Sequence, residues 1–257
     1  MAPAPHRLAF GDDGSPSADT AWRWVAAHRW PGWVVDVLTA TGPVGPTRPP
    51  DLAPVTEPWA PSDPRVLGPG RAAAVHHRTA AVDPRTLLGH QHDADLVVVG
   101  PRGHGAVGAL LLGSTSAWLL RHPPGPVAIV RGADPVRRVL VGTDGSRAAA
   151  RALDAYLALP WSGDVGVVVV VGSHDRWSDI DRGFLDAEAR LARIGVDPQV
   201  VRESGQAGPA ILRQVDEVDP DLVVLGTRGH TAWERLLVGA TASTVARAAP
   251  CSVLLSP

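Results

Sequence analysis

Three glycines and a serine give the first hint of chemistry in this chain. Gly100 and Gly103 follow the apolar run of DLVVVG, and Gly113 and Ser114 come after a nine-residue spacer, which makes the pattern G-x2-G-x9-G-S. Glycines at the C-terminal end of a strand let the backbone turn sharply and bring its N–H groups close to an anion. A spacer that returns the chain to a helix start at Gly113 adds free N–H groups and the positive end of a helix dipole. The hydroxyls of Ser114 and Thr115 are further donors. Together these groups suit a phosphate. Tight strand–helix packing is the other use for such glycines, and the strand-end position favours the ligand.

The pattern occurs twice. Gly226, Gly229 and Gly239 repeat the three glycines 126 positions later, and 13 of the 21 residues from Asp95 to Thr115 are identical in the second copy. Ala240 stands where the first copy has Ser114, with Thr241 one place late, so the second copy lacks one hydroxyl donor. Arg102 and Arg228 recur inside the loops, where a guanidinium could meet a phosphate or simply face solvent. His104 and His230 recur beside them, with no partner carboxylate that would make either a catalytic base. Upstream, RLAFGDDGS and RRVLVGTDGS each run from a short apolar strand into Asp-Gly-Ser. Asp13 and Asp144 can be turn residues or ligand contacts there, with Gly11 and Gly142 as nearby backbone, and Ser15 and Ser146 can cap the following helix.

Two familiar phosphate motifs are excluded. Gly103, Gly105 and Gly108 satisfy the dinucleotide spacing G-x-G-x-x-G, but the second copy has Gly229, Thr231 and Glu234 in those places. The strand concerned also comes late in each half. A Walker A loop requires a lysine, and the chain contains none.

The elements that must position these residues alternate between strand and helix. WVVDVLTA, DVGVVVVV, DLVVVG, DLVVLG, PVAIV and SVLL are nearly continuous apolar runs, as expected of parallel strands covered on both faces. The expected fold is α/β, two tandem doubly wound domains at residues 1–133 and 134–257. Gly42–Gly70 is dense in proline and excludes a long helix, whereas Arg182–Gly195 reads as one. The final strands of the halves would leave bare edges if each stood alone, so the halves are expected to pair, about a pseudo-twofold axis.

Composition narrows the function. With 19% charged residues and a formal charge of −2, the chain offers no basic field for nucleic acid or an anionic membrane. The lone Cys251 excludes an internal disulfide, MAPAPHRLAF has no apolar signal core, and no run approaches a membrane span. The expected compartment is the cytoplasm. His76, His77, His90 and His92 have no cysteine or acid to complete a zinc spacing, so no metal site is expected. The nine tryptophans, Trp22, Trp24 and Trp118 among them, are expected in core or interface.

On the Asp-Gly-Ser strand ends, ADLVVVGPRGHG and G-x2-G-x9-G-S, nearly the whole chain resembles the universal stress protein family, specifically its ATP-binding branch. The resemblance implies two five-stranded parallel sheets of the adenine-nucleotide α-hydrolase-like type, with ATP, with or without Mg2+, across the strand ends. It implies that Gly100, Gly103, Gly113 and Ser114, then Gly226, Gly229 and Gly239, hold phosphates, and that Asp13 and Asp144 lie near the nucleoside. It also implies a stress-response regulator with an unidentified protein partner, paired internally or as a homodimer. No nucleophile–base pair or acidic metal cluster stands out, so no catalytic role beyond slow ATP hydrolysis is expected. The alternatives are a nucleotide-dependent enzyme of the same α/β group, transferring phosphoryl or adenylyl groups, and a scaffold that has lost its ligand.

Overall fold

A computed structural model describes residues 4–42, 65–103, 112–173, 177–227 and 239–257. The chain divides into two compact units, Met1–Asp134 and Pro135–Pro257. In the first unit the order is β1 (Arg7–Gly11), α1 (Pro16–Ala27), β2 (Trp30–Ala40), β3 (Ala72–Ala80), α2 (Pro84–Gly89), β4 (Leu96–Val99), α3 (Ser114–Arg121) and β5 (Val127–Ile129). Among the described residues, the second unit repeats this order with one further helix, α5, between its second and third strands: β6 (Arg138–Thr143), α4 (Arg147–Leu157), β7 (Val167–Ser173), α5 (Trp177–Ala192), β8 (Gln199–Glu203), α6 (Ala207–Val218), β9 (Leu222–Gly226), α7 (Ala240–Ala248) and β10 (Ser252–Ser256). The helix expected at Arg182–Gly195 is α5. Residues 43–64 of the proline-rich stretch lie outside the described residues.

Every strand pair within the units is parallel. The first sheet runs β3-β2-β1-β4-β5 and the second β8-β7-β6-β9-β10. In each, the first strand sits centrally, with the second and third strands to one side and the fourth and fifth to the other. The sequence order therefore reverses between β1 and β4, and between β6 and β9. In open α/β sheets this reversal leaves a crevice beyond the strands' C-terminal ends, where ligands bind.

The apolar runs do what continuous hydrophobicity requires: Leu8, Phe10, Val97, Val98, Val223, Val224 and Val253 are all fully buried. Helix α1 covers one face of the first sheet with Trp22, Trp24 and Val25, and Phe10 meets the ring of Trp22 edge-on at 5.2 Å. Among the described residues, no helix is long and apolar enough to cross a membrane.

Beneath α1, at the end of the sheet away from the strand-end crevice, His28 is enclosed by Trp24 and Trp30, with ring centroids 4.6 and 6.4 Å away. Its Nδ1 lies 2.8 Å from the Trp24 carbonyl. Burial holds His28 below its ordinary imidazole range, against the pull of that hydrogen bond and with Arg71 adding to the depression. The folded state thus favours neutral His28. As pH falls below about 6.5 the unfolded chain takes up a proton that the fold resists, so stability is lost on acidification. Chemical denaturation of wild type and His28→Gln between neutral pH and pH about 5 should show a shallower acid loss in the variant. Identical slopes would remove His28 from the account.

Candidate functional site

The chain leaves β1 through a turn that the sequence Asp-Gly-Ser builds. Asp13 Oδ1 accepts the Ser15 N–H at 3.0 Å, Gly14 takes the left-handed conformation at φ 70°, and Ser15 Oγ caps α1 by accepting the Ala18 N–H at 3.2 Å. After β6 the same geometry returns. Asp144 accepts from Ser146 at 2.9 Å, Gly145 has φ 73°, and Ser146 caps α4 through Ala149 at 3.2 Å. A glycine adopts this conformation without the Cβ clash that any other residue would suffer.

This turn drops each helix onto the end of the neighbouring strand. A Cβ on Gly100 would stand 2.8 Å from the Ser17 carbonyl oxygen, and one on Gly226 would stand 2.6 Å from the backbone of Ala148. The first glycine of the motif is thus where α1 or α4 touches strand backbone. Gly103 faces the Asp13 carboxylate so closely that a Cβ would collide with Oδ2. The Gly113 amide donates to the Pro101 carbonyl at 2.7 Å and Ser116 Oγ to the Gly100 carbonyl at 2.7 Å, so α3 starts beside the strand end. Gly113 is the N-cap of α3 and brings no side-chain cap.

Between these parts lies a cavity of about 430 Å3, at the reversal between β1 and β4. It brings together Gly11, Asp13, Gly100, Arg102, Gly103, Gly113, Ser114 and Thr115 from the residues singled out in the sequence. His104 lies outside the described residues. Leu38, Ala40, Pro84, Leu87, Leu88 and Val99 supply an apolar part of the lining, which the sequence reading did not include. The cavity falls in the size range of small-molecule sites, about 300–1,000 Å3, with the usual mixture of apolar lining and a few convergent polar groups.

Asp12 and Arg65 were also missed. Asp12 borders the cavity while its carboxylate is fully covered. Arg65 grips that carboxylate at two points, Nε to Oδ2 at 3.0 Å and Nη2 to Oδ1 at 2.9 Å, and meets Asp19 Oδ1 at 2.6 Å. Burial, the largest single influence, pulls the Arg65 pKa down, but its bonds to Asp12 and Asp19 outweigh it and hold the group above its ordinary value. Asp12 could have been noticed beside Asp13 in GDDGS. Nothing in the sequence tied it to an arginine 53 residues away.

The second unit is built differently at the same place. Gly239 donates to the Thr227 carbonyl at 2.7 Å and begins α7, with Ala240 and Thr241 in its first turn, as Gly113 begins α3. Ala242 stands where Ser116 ties α3 to Gly100, and Gly142 is pressed against Leu225 and Ile211. Arg228, Gly229 and His230 lie outside the described residues. A cavity of about 200 Å3 lies between α4 and α5 and is lined by Thr143, Gly145, Ser146, Arg182 and Asp186, among others. Asp144, Gly226, Gly239, Ala240 and Thr241 do not line it. Among the described residues, no group of three or more His, Cys, Asp or Glu could hold a metal ion.

A parallel sheet of order 3-2-1-4-5 flanked by helices defines a doubly wound α/β unit, and here it occurs twice, the cavity lined by the motif glycines being described in the first. The family model described as the universal stress protein family matches residues 5–131 and again 135–257, so the chain belongs to that family and carries its domain in tandem. A universal stress protein of Mycolicibacterium smegmatis is 33% identical over 190 residues, a match that spans 66% of this chain and 64% of that relative's length. One of Mycobacterium bovis is 27% identical over 98% of this chain and 97% of its own. The crystal structure of a universal stress protein from Archaeoglobus fulgidus superposes with a TM-score of 0.69 at 19% identity, over 97% of each chain, and so shares the fold.

The close approach at Gly100 is directly testable. Gly100→Ala drives a methyl group into the backbone of α1, and overpacking of this kind costs about 1–3 kcal/mol. Urea denaturation should register that loss, and a similar one for Gly226→Ala. Unchanged stability in both would mean that the helices do not rest on these glycines.

Proposed function

We propose that the first unit binds an adenine nucleotide, ATP in particular, and that the chain is a stress-response regulator whose occupancy tunes its stability or its binding of a partner. One observation carries the reading. A single cavity joins an apolar wall, suited to a planar base, to the start of α3, where Gly113, Ser114 and Thr115 face it beside Arg102 and Gly103. N–H groups at a helix start and a guanidinium are natural partners of phosphate oxygens, and the missing side-chain cap leaves the place to a ligand. The glycines leave no Cβ in the way, and Ser114 is exposed at the mouth. ATP, when bound, would supply the phosphates that these donors hold. Asp13, whose carboxylate packs against Gly103, is the group nearest the motif that could share a Mg2+ ion with them.

Binding, rather than turnover, is the role proposed, with hydrolysis at most slow. The second unit is proposed to bind more weakly, because Ala240 cannot donate the hydrogen bond available to Ser114. A hydrogen bond to a charged group is worth about 1.5–3 kcal/mol, or roughly 10- to 100-fold in affinity. Calorimetric titration with ATP should therefore give a tighter site that Ser114→Ala weakens by that factor and a weaker site that Ala240→Ser strengthens. An unchanged pair of dissociation constants in Ser114→Ala would remove the start of α3 from the phosphate site. Labelled ATP turned over many times a minute would favour the enzyme reading instead.

A further inference from the structure

Three carboxylates crowd the turn after β1 in the first unit: Asp12, Asp13 and Asp19. A site that receives polyphosphate would not be expected to carry them without compensation. Asp13 packs against Gly103 in the motif itself, and Asp19 is part-exposed on α1. Asp12 is the exceptional one, because its side chain is 0% exposed and yet the residue borders the cavity. A lone buried carboxylate is so costly that it is normally paired or neutralised. The position has no structural need of a charge: Thr143 holds it in the second unit and uses its hydroxyl to accept the Gly145 N–H at 3.2 Å, as Asp12 Oδ1 accepts that of Gly14 at 3.1 Å.

The first unit has thus put a buried negative charge where a hydroxyl suffices, and then covered it with an arginine. Arg65 is itself 5% exposed and is held from the far side, where its carbonyl oxygen lies 3.0 Å from His77 Nε2 on β3. Its fork geometry satisfies both oxygens of Asp12, and its second contact reaches Asp19 on α1. Removing either charge of the buried Asp12–Arg65 pair changes the net charge beside the cavity by one unit, where burial weakens screening by water.

We propose that Arg65 is a specificity-determining residue of the first unit's cavity: by neutralising Asp12 it lets the cavity accept anionic, phosphorylated ligands rather than an uncharged nucleoside. The proposal rests on the adenine-nucleotide reading above. Arg65 acts through Asp12 and is not a member of the cavity lining.

The test compares ATP with adenosine, which shares the base and sugar but carries no charge, by calorimetry on the full chain at constant salt. Arg65→Met exposes the field of Asp12, so ATP binding should weaken by about tenfold or more while adenosine affinity changes by less than about threefold. Asp12→Asn leaves the guanidinium opposed by the part-exposed Asp19 alone, so ATP should bind at least as tightly as in wild type. The double variant removes both charges and should return ATP affinity to within about threefold of wild type. Circular dichroism checks each fold. If Arg65→Met does not fold, Asp12→Asn and the double variant decide, since their ATP-to-adenosine ratios must still follow the charge. Equal losses for both ligands, or a folded double variant that stays weak for ATP alone, would overturn the proposal and leave Arg65 a structural clamp. If wild type binds neither ligand, the nucleotide reading falls and takes this proposal with it.

Discussion

The contact on which each unit depends is a helix resting directly on the end of a strand. Helix α1 meets β4 at Gly100 and α4 meets β9 at Gly226, at distances that leave no room for a Cβ. In the first unit this contact brings Ser17 close enough to accept the Arg102 N–H at 3.3 Å. It fixes where the loop after β4 begins, and therefore where α3 can start. The turn Asp-Gly-Ser sets the angle of approach, and the sheet's reversal leaves the space into which the loop folds. The cavity is what remains when two backbones come this close. Gly100 does both jobs that its sequence suggested, since it packs a helix and lines the cavity.

The two units show how one framework can diverge. Both keep the turn, the capping serine and the glycine under the first helix. Among the described residues, only the first has the apolar wall and the motif around one cavity, with a hydroxyl at the start of α3 and a second, Ser116, tying that helix to Gly100. In the second, Ala240 and Ala242 occupy both hydroxyl positions, and α5 lies against the turn, with Gly183 so near Gly145 that a Cβ would stand 2.8 Å from its Cα. The charges differ as well. Where the first unit has Asp12 paired with Arg65, the second has Thr143 at the position equivalent to Asp12.

Much of this was legible in the residues, for identifiable reasons. Strands buried on both faces write themselves as unbroken apolar runs, so β1, β4, β6 and β9 could be read directly. Two strands could not. AAAVHHRTA forms β3 and QVVRE forms β8, and both leave much of their surface exposed, so neither carries the hydrophobic signal that the buried end strands β5 and β10 do. Only the family resemblance supplied them. The site divided in the same way. Glycines spaced along one loop announce themselves, and all the described members of the first motif line the cavity. Leu38, Ala40, Leu87 and Leu88 look like any other core residues until the fold turns them toward one space. The Asp12–Arg65 pair depends on a contact across 53 positions, and local pattern carries no trace of it.

Hydrogen–deuterium exchange with and without saturating ATP reports on the very amides proposed to hold the phosphates. Slower exchange is predicted in Gly100–Gly103 and Gly113–Ser116, with smaller changes in the matching segments around Gly226 and Gly239. Exchange that is unchanged at Gly113–Ser116 under saturating ATP, or protected only elsewhere in the chain, would contradict a nucleotide site at the first unit's strand ends.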